Sequence, residues 1–384
     1  MNNNSSYSTI HPSVKFHGKH LPSPKNGLKL IVTIPAKNEA GTIWKTLSAL
    51  LNQRLDNASL PPDFYEVIIL CNHCDDDTVA ICNLFQKIHP QFPLYIFETV
   101  DRNINSVGAS RRILMDLASS RLPGNGFIIT TDADTIAHKK WLNAFLESLP
   151  EPVDLICGII QPDNKGLNLE AKKILHLTRR YLDLVSRLES EIFPQDNDPW
   201  PRHSHNSGPN MAIRKSVYEK LGGIPPLACF EDIALYQKVF AYGYKIKHSY
   251  SPIIITSCRT SSRVPGGFGS QIRNWSDSKT ENVEGLRKLE ERFKAYNNIR
   301  SYYQNPSSSL LNTIAEQLHF KSYELESLLQ KHERSNSIII YLENSLKTNT
   351  SWNSAYPNIP LEKAIEELEN YFSVFSHTTN SYSS

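Results

Sequence analysis

Asp132 and Asp134 are separated by one alanine at the end of the apolar run "GFIITT". On an extended strand end, side chains two residues apart share one side. Two carboxylates held that way repel each other unless a cation lies between them, and oxygen ligands in this number suit Mg2+ or Mn2+. Asp-x-Asp alone also occurs in solvated acidic turns. Its place at the end of a buried strand is what favours a ligand site. A second acidic pair, Glu231-Asp232, opens the helical stretch "EDIALYQKVFAYGY" after a loop with Gly222, Gly223, Pro225 and Pro226. Acidic residues complement the dipole of a helix start. The functional alternative is a general base held rigidly at a cleft. Arg111 and Arg112 begin another helical stretch, "VGASRRILMD", where a helix N-terminus and guanidinium groups favour phosphate; otherwise they are surface arginines. The segment "CNHCDDDT", Cys71 to Thr78, reads either as a Cys-x-x-Cys zinc or redox pair or as a polar, carboxylate-rich loop.

These residues need a frame. "LKLIVTIP" is a short, nearly continuous apolar run, as in a strand buried on both faces. A helical stripe follows at Ile43, Leu47, Leu50, Leu51 and Leu55. "YEVIIL", "PLYIFE", "GFIITT" and "DLICGII" read as further strands, with helices over 77–88, 107–119 and 138–148 between them. Such alternation predicts an α/β fold with a doubly wound, mostly parallel sheet. A long amphipathic helix is expected over 168–193, then a Pro-rich loop. Helical pieces are expected at "MAIRKSVYEKLGG" and "EDIALYQKVFAYGY", and a strand at "SPIIITS". Leu286, Leu289, Phe293, Tyr296 and Tyr303, then Leu361, Ile365, Leu368 and Phe372, recur at helical spacing. The expected divisions are a disordered arm at 1–27, the α/β domain at 28–280, an all-helical region at 281–376 and a flexible tail at 377–384.

The 384 residues carry 41 basic and 39 acidic side chains, a formal charge of +2 that argues against a general nucleic-acid binder. No stretch approaches the roughly 18 apolar residues that span a bilayer. The N-terminus lacks an apolar signal core, and six cysteines do not make a disulfide scaffold, so a reduced cytoplasmic setting is the simplest expectation.

In an open parallel sheet, ligands bind beyond the carboxyl ends of the strands. Pro35 to Glu39, Cys71 to Asp77 and Asp132 to Thr135 all follow strands and so meet at one edge. Together "VTIPAKNEAGTI", "CNHCDDDT", "GASRR", "TDADT" and "FEDIAL" with "YGYKI" resemble the GT-A fold glycosyltransferases, family 2 in particular, over residues 28–275. The resemblance implies a GT-A (Rossmann-like) sheet and a hexosyltransferase-like enzyme using a nucleotide-sugar donor, a UDP- or GDP-sugar, with Mn2+ or Mg2+. It implies that Pro35, Ala36, Asn38, Glu39 and Asn72, with Asp75 or Asp77, lie near the donor nucleotide. It makes Arg111 and Asp132 donor contacts, Asp134 the direct metal ligand beside Asp132, and Asp232, in the Glu231-Asp232 pair, the catalytic base. It puts Asn206, Gly208 and Asn210, in "NSGPNMAIR", at the acceptor.

Two departures stand out. Cys71-Asn72 replaces the acidic residue that usually begins the second loop, which leaves the base open. "QIRNW" (Gln271 to Trp275) differs in spacing from the Gln-x-x-Arg-Trp motif, and no membrane helices follow, which argues against a processive polysaccharide synthase. Rival readings are a retaining GT-A enzyme acting on a small phosphorylated acceptor and a non-catalytic sugar-nucleotide sensor or scaffold. A nucleotidyltransferase would need a glycine-rich start that "TIPAKNEAG" lacks. Arg259, Arg263 and "PGGFG" (Pro265 to Gly269) read as a lid or a surface turn. The C-terminal helices offer packing, dimerisation or a partner surface. With no second Cys-x-x-Cys for a structural zinc and acidic neighbours that redox chemistry does not use, Cys71 and Cys74 are expected to be incidental.

Overall fold

The structure is a computed structural model and describes residues 11–56, 58–258 and 281–379. Contacts divide the chain into two compact units, one from Met1–Lys165, His205–Val239 and Tyr244–Gly267, the other from Gly166–Ser204, Phe240–Gly243 and Phe268–Ser384.

The first unit is built on a nine-stranded sheet. Its strands are β1 (Lys15–Phe16), β2 (Leu30–Ala36), β5 (Tyr65–Asn72), β6 (Leu94–Thr99), β7 (Phe127–Thr130), β8 (Thr135–Ala137), β9 (Leu155–Asp163), β10 (Met211–Arg214) and β11 (Ile246–Ser257), in the order β1-β6-β5-β2-β7-β10-β9-β11-β8. A separate hairpin pairs β3 (Arg54–Leu55) with β4 (Ala58–Ser59). Strands β6, β5, β2 and β7 run parallel. All eight residues of β5 are buried, as the continuous apolar run requires when helices cover both faces. On one face Val32, Ile34, Val67 and Ile69 pack with Ile43 and Leu47 of α1 (Ile43–Leu51), Phe85 of α2 (Thr78–Ile88) and Trp141 of α4 (Trp141–Glu147). The alternating residues Ile31, Ile68 and Ile128 are also fully buried, and α3 (Val107–Arg121) packs on β2 and β5. The mostly parallel α/β reading therefore holds.

Three expectations change. "MAIR" is strand β10, not the start of a helix; only Lys215–Lys220 (α6) is helical there. Four residues are too few to show a period, and β10 is paired antiparallel on both sides, to β7 and β9. Residues 11–27 are not wholly a disordered arm. β1 pairs with β6, Phe16 packs against Phe97, and the Arg121 guanidinium donates to the Pro22 carbonyl at 3.0 Å. Backbone and polar contacts anchor this segment, and hydrophobic periodicity does not report them.

The second unit gathers α5 (Leu169–Ile192) with helices Leu286–Gln304, Ser308–Leu318, Ser322–Lys331, Ser335–Leu346, Thr350–Ala355 and Leu361–Thr379, plus the short pair β12 (Asn282–Val283) and β13 (Ile359–Pro360). Tyr181, Leu184 and Leu188 of α5 share one core with Leu289, Phe293, Ile338 and Leu368. The expected boundary at 280 is thereby corrected. The long helix is distant in sequence from the C-terminal helices but buries its apolar stripe among them. Among the described residues, no helix is long and apolar enough to cross a membrane. Arg259, Arg263, Pro265–Gly269 and Gln271–Trp275 lie outside the described residues.

Candidate active site

Strands β2, β5 and β7 end at Ala36, Asn72 and Thr130, so the loops that follow them emerge at one sheet edge. The reversed strand β10 starts where β7 stops. Met211 lies opposite Thr130, which brings the turn Gly208–Asn210 to the same edge. Helix α7 (Glu231–Ala241) contributes its first residues.

The loops after β2 and β5 are tied together. Asn38 Oδ1 accepts the Asp75 amide at 2.7 Å, and the Glu39 amide donates to Thr78 Oγ1 at 2.7 Å. Asp76 Oδ2 accepts the Ala40 amide at 3.0 Å, and its Oδ1 accepts the Thr78 amide at 3.0 Å. Asp76 therefore fixes both the loop pair and the start of α2, and Asp75, Asp76 and Asp77 are all exposed. Asn38 and His73 sit at φ 52° and 48°, left-handed conformations that are uncommon outside glycine. Pro35 is half-buried and Ala36 buried at the end of β2. Asn72 was expected to face a donor. It is 6% exposed, and its Nδ2 donates to Ile104 O and Ser110 Oγ, both at 2.8 Å. Its amide N–H groups hold the chain ahead of α3, while its Oδ1 is buried without a hydrogen-bond partner among the described residues.

The centre of the site is Arg111. It is 3% exposed and donates from Nη2 to Asp132 Oδ1 at 2.5 Å and from Nη1 to the Gly208 carbonyl at 3.2 Å, while its Nε lies 2.9 Å from Glu231 Oε1. These partners lie within the protein: a buried guanidinium needs carboxylate partners. Arg112 pairs with Asp116 at 2.6 Å. Asp232 is half-exposed. Its Oδ2 accepts the Gly208 amide at 2.6 Å and its Oδ1 the Ile233 amide at 2.8 Å. Gly208 is glycine for a packing reason: a Cβ there would meet Arg111 Nη2 at 2.7 Å and Asp232 Oδ2 at 3.1 Å.

Burial raises the Asp132 and Glu231 carboxyls above their ordinary range. Arg111 opposes that, and Asp232 adds to it for both. Three carboxylates around one guanidinium leave an excess of negative charge. Of the residues expected at an acceptor, Asn206 is half-buried at this edge, whereas Asn210 is corrected to a structural role. Asn210 is 1% exposed; its Oδ1 accepts Trp141 Nε1–H at 2.7 Å, and its Nδ2 donates to Ile159 O and Pro252 O at 2.9 Å. Gly208 acts beneath Asp232 through its backbone. His205 Nδ1 lies 3.0 Å from the Ile160 amide.

The sequence model of glycosyl transferase family 2 matches residues 31–222, half of the chain. The chain belongs to glycosyl transferase family 2. The match contains Asp132, Asp134 and Gly208 and stops before Glu231. The chain is 26% identical over 233 residues to the probable glycosyltransferase YdaM of Bacillus subtilis (strain 168), which covers 59% of this chain and 50% of that protein. It thus spans about half the length of the curated relative it matches. Solved structures similar to it include the mannosyltransferase PcManGT from Pyrobaculum calidifontis in complex with GDP-Man and Mn2+, at 16% identity and TM-score 0.45, covering 88% of this chain and 85% of that one. Another is S. aureus TarS 1-349 in complex with UDP-GlcNAc, at 15% identity and TM-score 0.45, covering 83% and 92%.

The donor set of this family 2 chain fits a divalent cation. Asp132 and Asp134 are both half-buried at the edge, on either side of buried Ala133, and the unneutralised charge around Asp132 is what such a cation would offset. Among the described residues there is no cluster of three or more His, Cys, Asp or Glu side chains able to hold a metal by themselves. Two carboxylates plus the substrate's own oxygens is the arrangement open to it. Cys71 and Cys74 are free thiols. Burial contributes to raising both above the ordinary thiol range, and for Cys74 the hydrogen bond with Cys71 is the largest cause. Protonated, partly buried thiols are poor nucleophiles and poor metal ligands.

Proposed function

We propose that the chain transfers a sugar from a nucleoside-diphosphate sugar to an acceptor hydroxyl with inversion, Asp232 acting as the general base. The observation that carries this reading is the contrast within the acidic pair. Glu231 is buried against Arg111, whereas Asp232 is half-exposed and oriented by two backbone N–H groups.

In the proposed step an acceptor oxygen forms a bond to the sugar's anomeric carbon as the bond from that carbon to the diphosphate breaks. The acceptor's proton passes to the Asp232 carboxylate. One in-line displacement inverts the anomeric centre. Arg111 holds Asp132 and Glu231 in place and keeps Gly208 beneath Asp232, so the base needs no reorganisation when the proton arrives. Asp134 and Asp132 would hold Mn2+ or Mg2+, which as a Lewis acid would stabilise the departing diphosphate. Asn38, Glu39, Asp75 and Asp77 line the donor end of the same edge in this reading, and Asn206 the acceptor end.

The test is a thermal-shift screen against UDP, GDP, CDP and dTDP with and without Mn2+, followed by transfer assays with sugars of the nucleotide that stabilises. The reading expects one nucleotide to raise Tm in a Mn2+-dependent way, and EDTA to abolish transfer. No shift with any nucleotide, or unchanged turnover in EDTA, contradicts it.

A further inference from the structure

Phe230 stands immediately before the acidic pair, with φ 61°. A bulky residue in the left-handed region is an outlier that costs free energy a glycine would not. The same loop does use glycine for that conformation elsewhere: Gly222 and Gly223 have φ 71° and 83°. Phe230 nevertheless keeps its ring, 49% exposed, and Leu227 in the same loop is 45% exposed. Strain and exposed apolar surface together mark a side chain kept for what it touches rather than for packing.

The loop is held firmly. A Cβ on Gly108 would lie 2.1 Å from the Leu227 carbonyl oxygen, so the Leu227 backbone rests directly on the start of α3. Arg112 Nη1 donates to the Ile224 carbonyl at 3.4 Å. The Phe230 carbonyl accepts the Ala234 amide at 2.9 Å, which fixes Phe230 to the first turn of the helix that carries Asp232. The backbone that carries this exposed aromatic ring is thus fixed two residues from the proposed base.

We infer that Phe230, with Leu227, forms the apolar wall of the acceptor subsite, and that the acceptor is itself a sugar or glycoside. This rests on the reading of Asp232 as base. A pyranose has one face of C–H groups that packs on the negative face of an aromatic ring, while its hydroxyls suit a carboxylate-lined site. A lipid chain would call for a broad contiguous apolar patch, whereas this loop offers two apolar side chains beside Glu231 and Asp232.

The test uses full-length protein with Mn2+ and the nucleotide found above. Methyl pyranosides of glucose, galactose, mannose and N-acetylglucosamine are titrated calorimetrically, with octanol as the lipid-like control. At least one pyranoside is expected to bind. Its Kd should rise about tenfold in Phe230→Gly and stay within about threefold in Phe230→Trp. Phe230→Gly should melt at or above the wild-type temperature, because glycine adopts the backbone without strain. Equal pyranoside affinity in wild type and Phe230→Gly, no pyranoside binding, binding of octanol instead, or a lowered Tm in Phe230→Gly would each overturn the inference. The nucleotide thermal shift judges the parent reading separately, since it does not involve Phe230.

Discussion

Asp232 Oδ2 accepts the Gly208 amide N–H at 2.6 Å, linking the first turn of α7 to the start of the reversed strand β10. The same glycine's carbonyl accepts from Arg111 Nη1 and from Thr130 Oγ1. One glycine, through the peptide units on either side of it, therefore sets the position of the proposed base and of the guanidinium that holds Asp132.

Replacing Gly208 tests that arrangement. A Cβ in Gly208→Ala would lie 2.7 Å from Arg111 Nη2, inside contact distance. Overpacking of this kind costs roughly 1–3 kcal/mol, so the variant should fold with a lowered Tm. Displacing the base should lower kcat by at least about a hundredfold. Thermal melting and transfer kinetics on one preparation check both outcomes.

The raised carboxyls make stability depend on pH. Asp132 and Glu231 are pushed above 3.8 and 4.5, first by burial and then by neighbouring carboxylates, with Arg111 opposing. A group whose folded pKa exceeds its unfolded value binds more protons when folded. Its stabilisation is therefore full below the unfolded value and is lost as pH rises through the folded one. In metal-free protein, Glu231→Gln should show a smaller loss of Tm than wild type as pH is raised from near 4.5. Parallel Tm–pH curves would contradict the assignment.

Arg121 and Glu66 form a second buried pair, at 2.7 Å with side chains 0% and 2% exposed. Arg121 also donates to Pro22 O at 3.0 Å and lies over the Tyr95 ring. Removing one partner of such a pair strands a buried charge, so Arg121→Met should cost about 3–5 kcal/mol in urea unfolding. Adding Glu66→Gln to that variant should recover part of the loss. The single variant should also expose the 11–27 segment to protease, because its tie to Pro22 is gone.

The parallel strands were legible because strands buried on both faces must be continuously apolar, and β2 and β5 are. The acidic runs Asp75 to Asp77 and Asp132 to Asp134 were legible because they follow such strands, whereas Glu231-Asp232 follows a loop. What was not legible depends on neighbours far away in sequence. An asparagine near a site reads the same whether it faces a ligand or the backbone, and Asn210 spends its amide on Trp141, Ile159 and Pro252. Arg111 reads as a phosphate ligand in sequence, and nothing near it in the chain announces that Glu231, Asp132 and Gly208 surround its guanidinium. Gly108 and Gly208 stand out in "VGASRR" and "NSGPN", but the atoms that exclude a side chain there belong to Leu227, Arg111 and Asp232.

The central claim is that Asp232 takes the acceptor's proton, and Asp232→Asn tests it most directly. The amide keeps the size, but its single oxygen can accept only one of the Gly208 and Ile233 N–H groups, so Tm should fall modestly while the nucleotide-induced shift stays close to wild type. Loss of a general base lowers turnover by about 10²–10⁴-fold. The account predicts transfer reduced by that range with nucleotide binding kept; wild-type turnover in Asp232→Asn would contradict it.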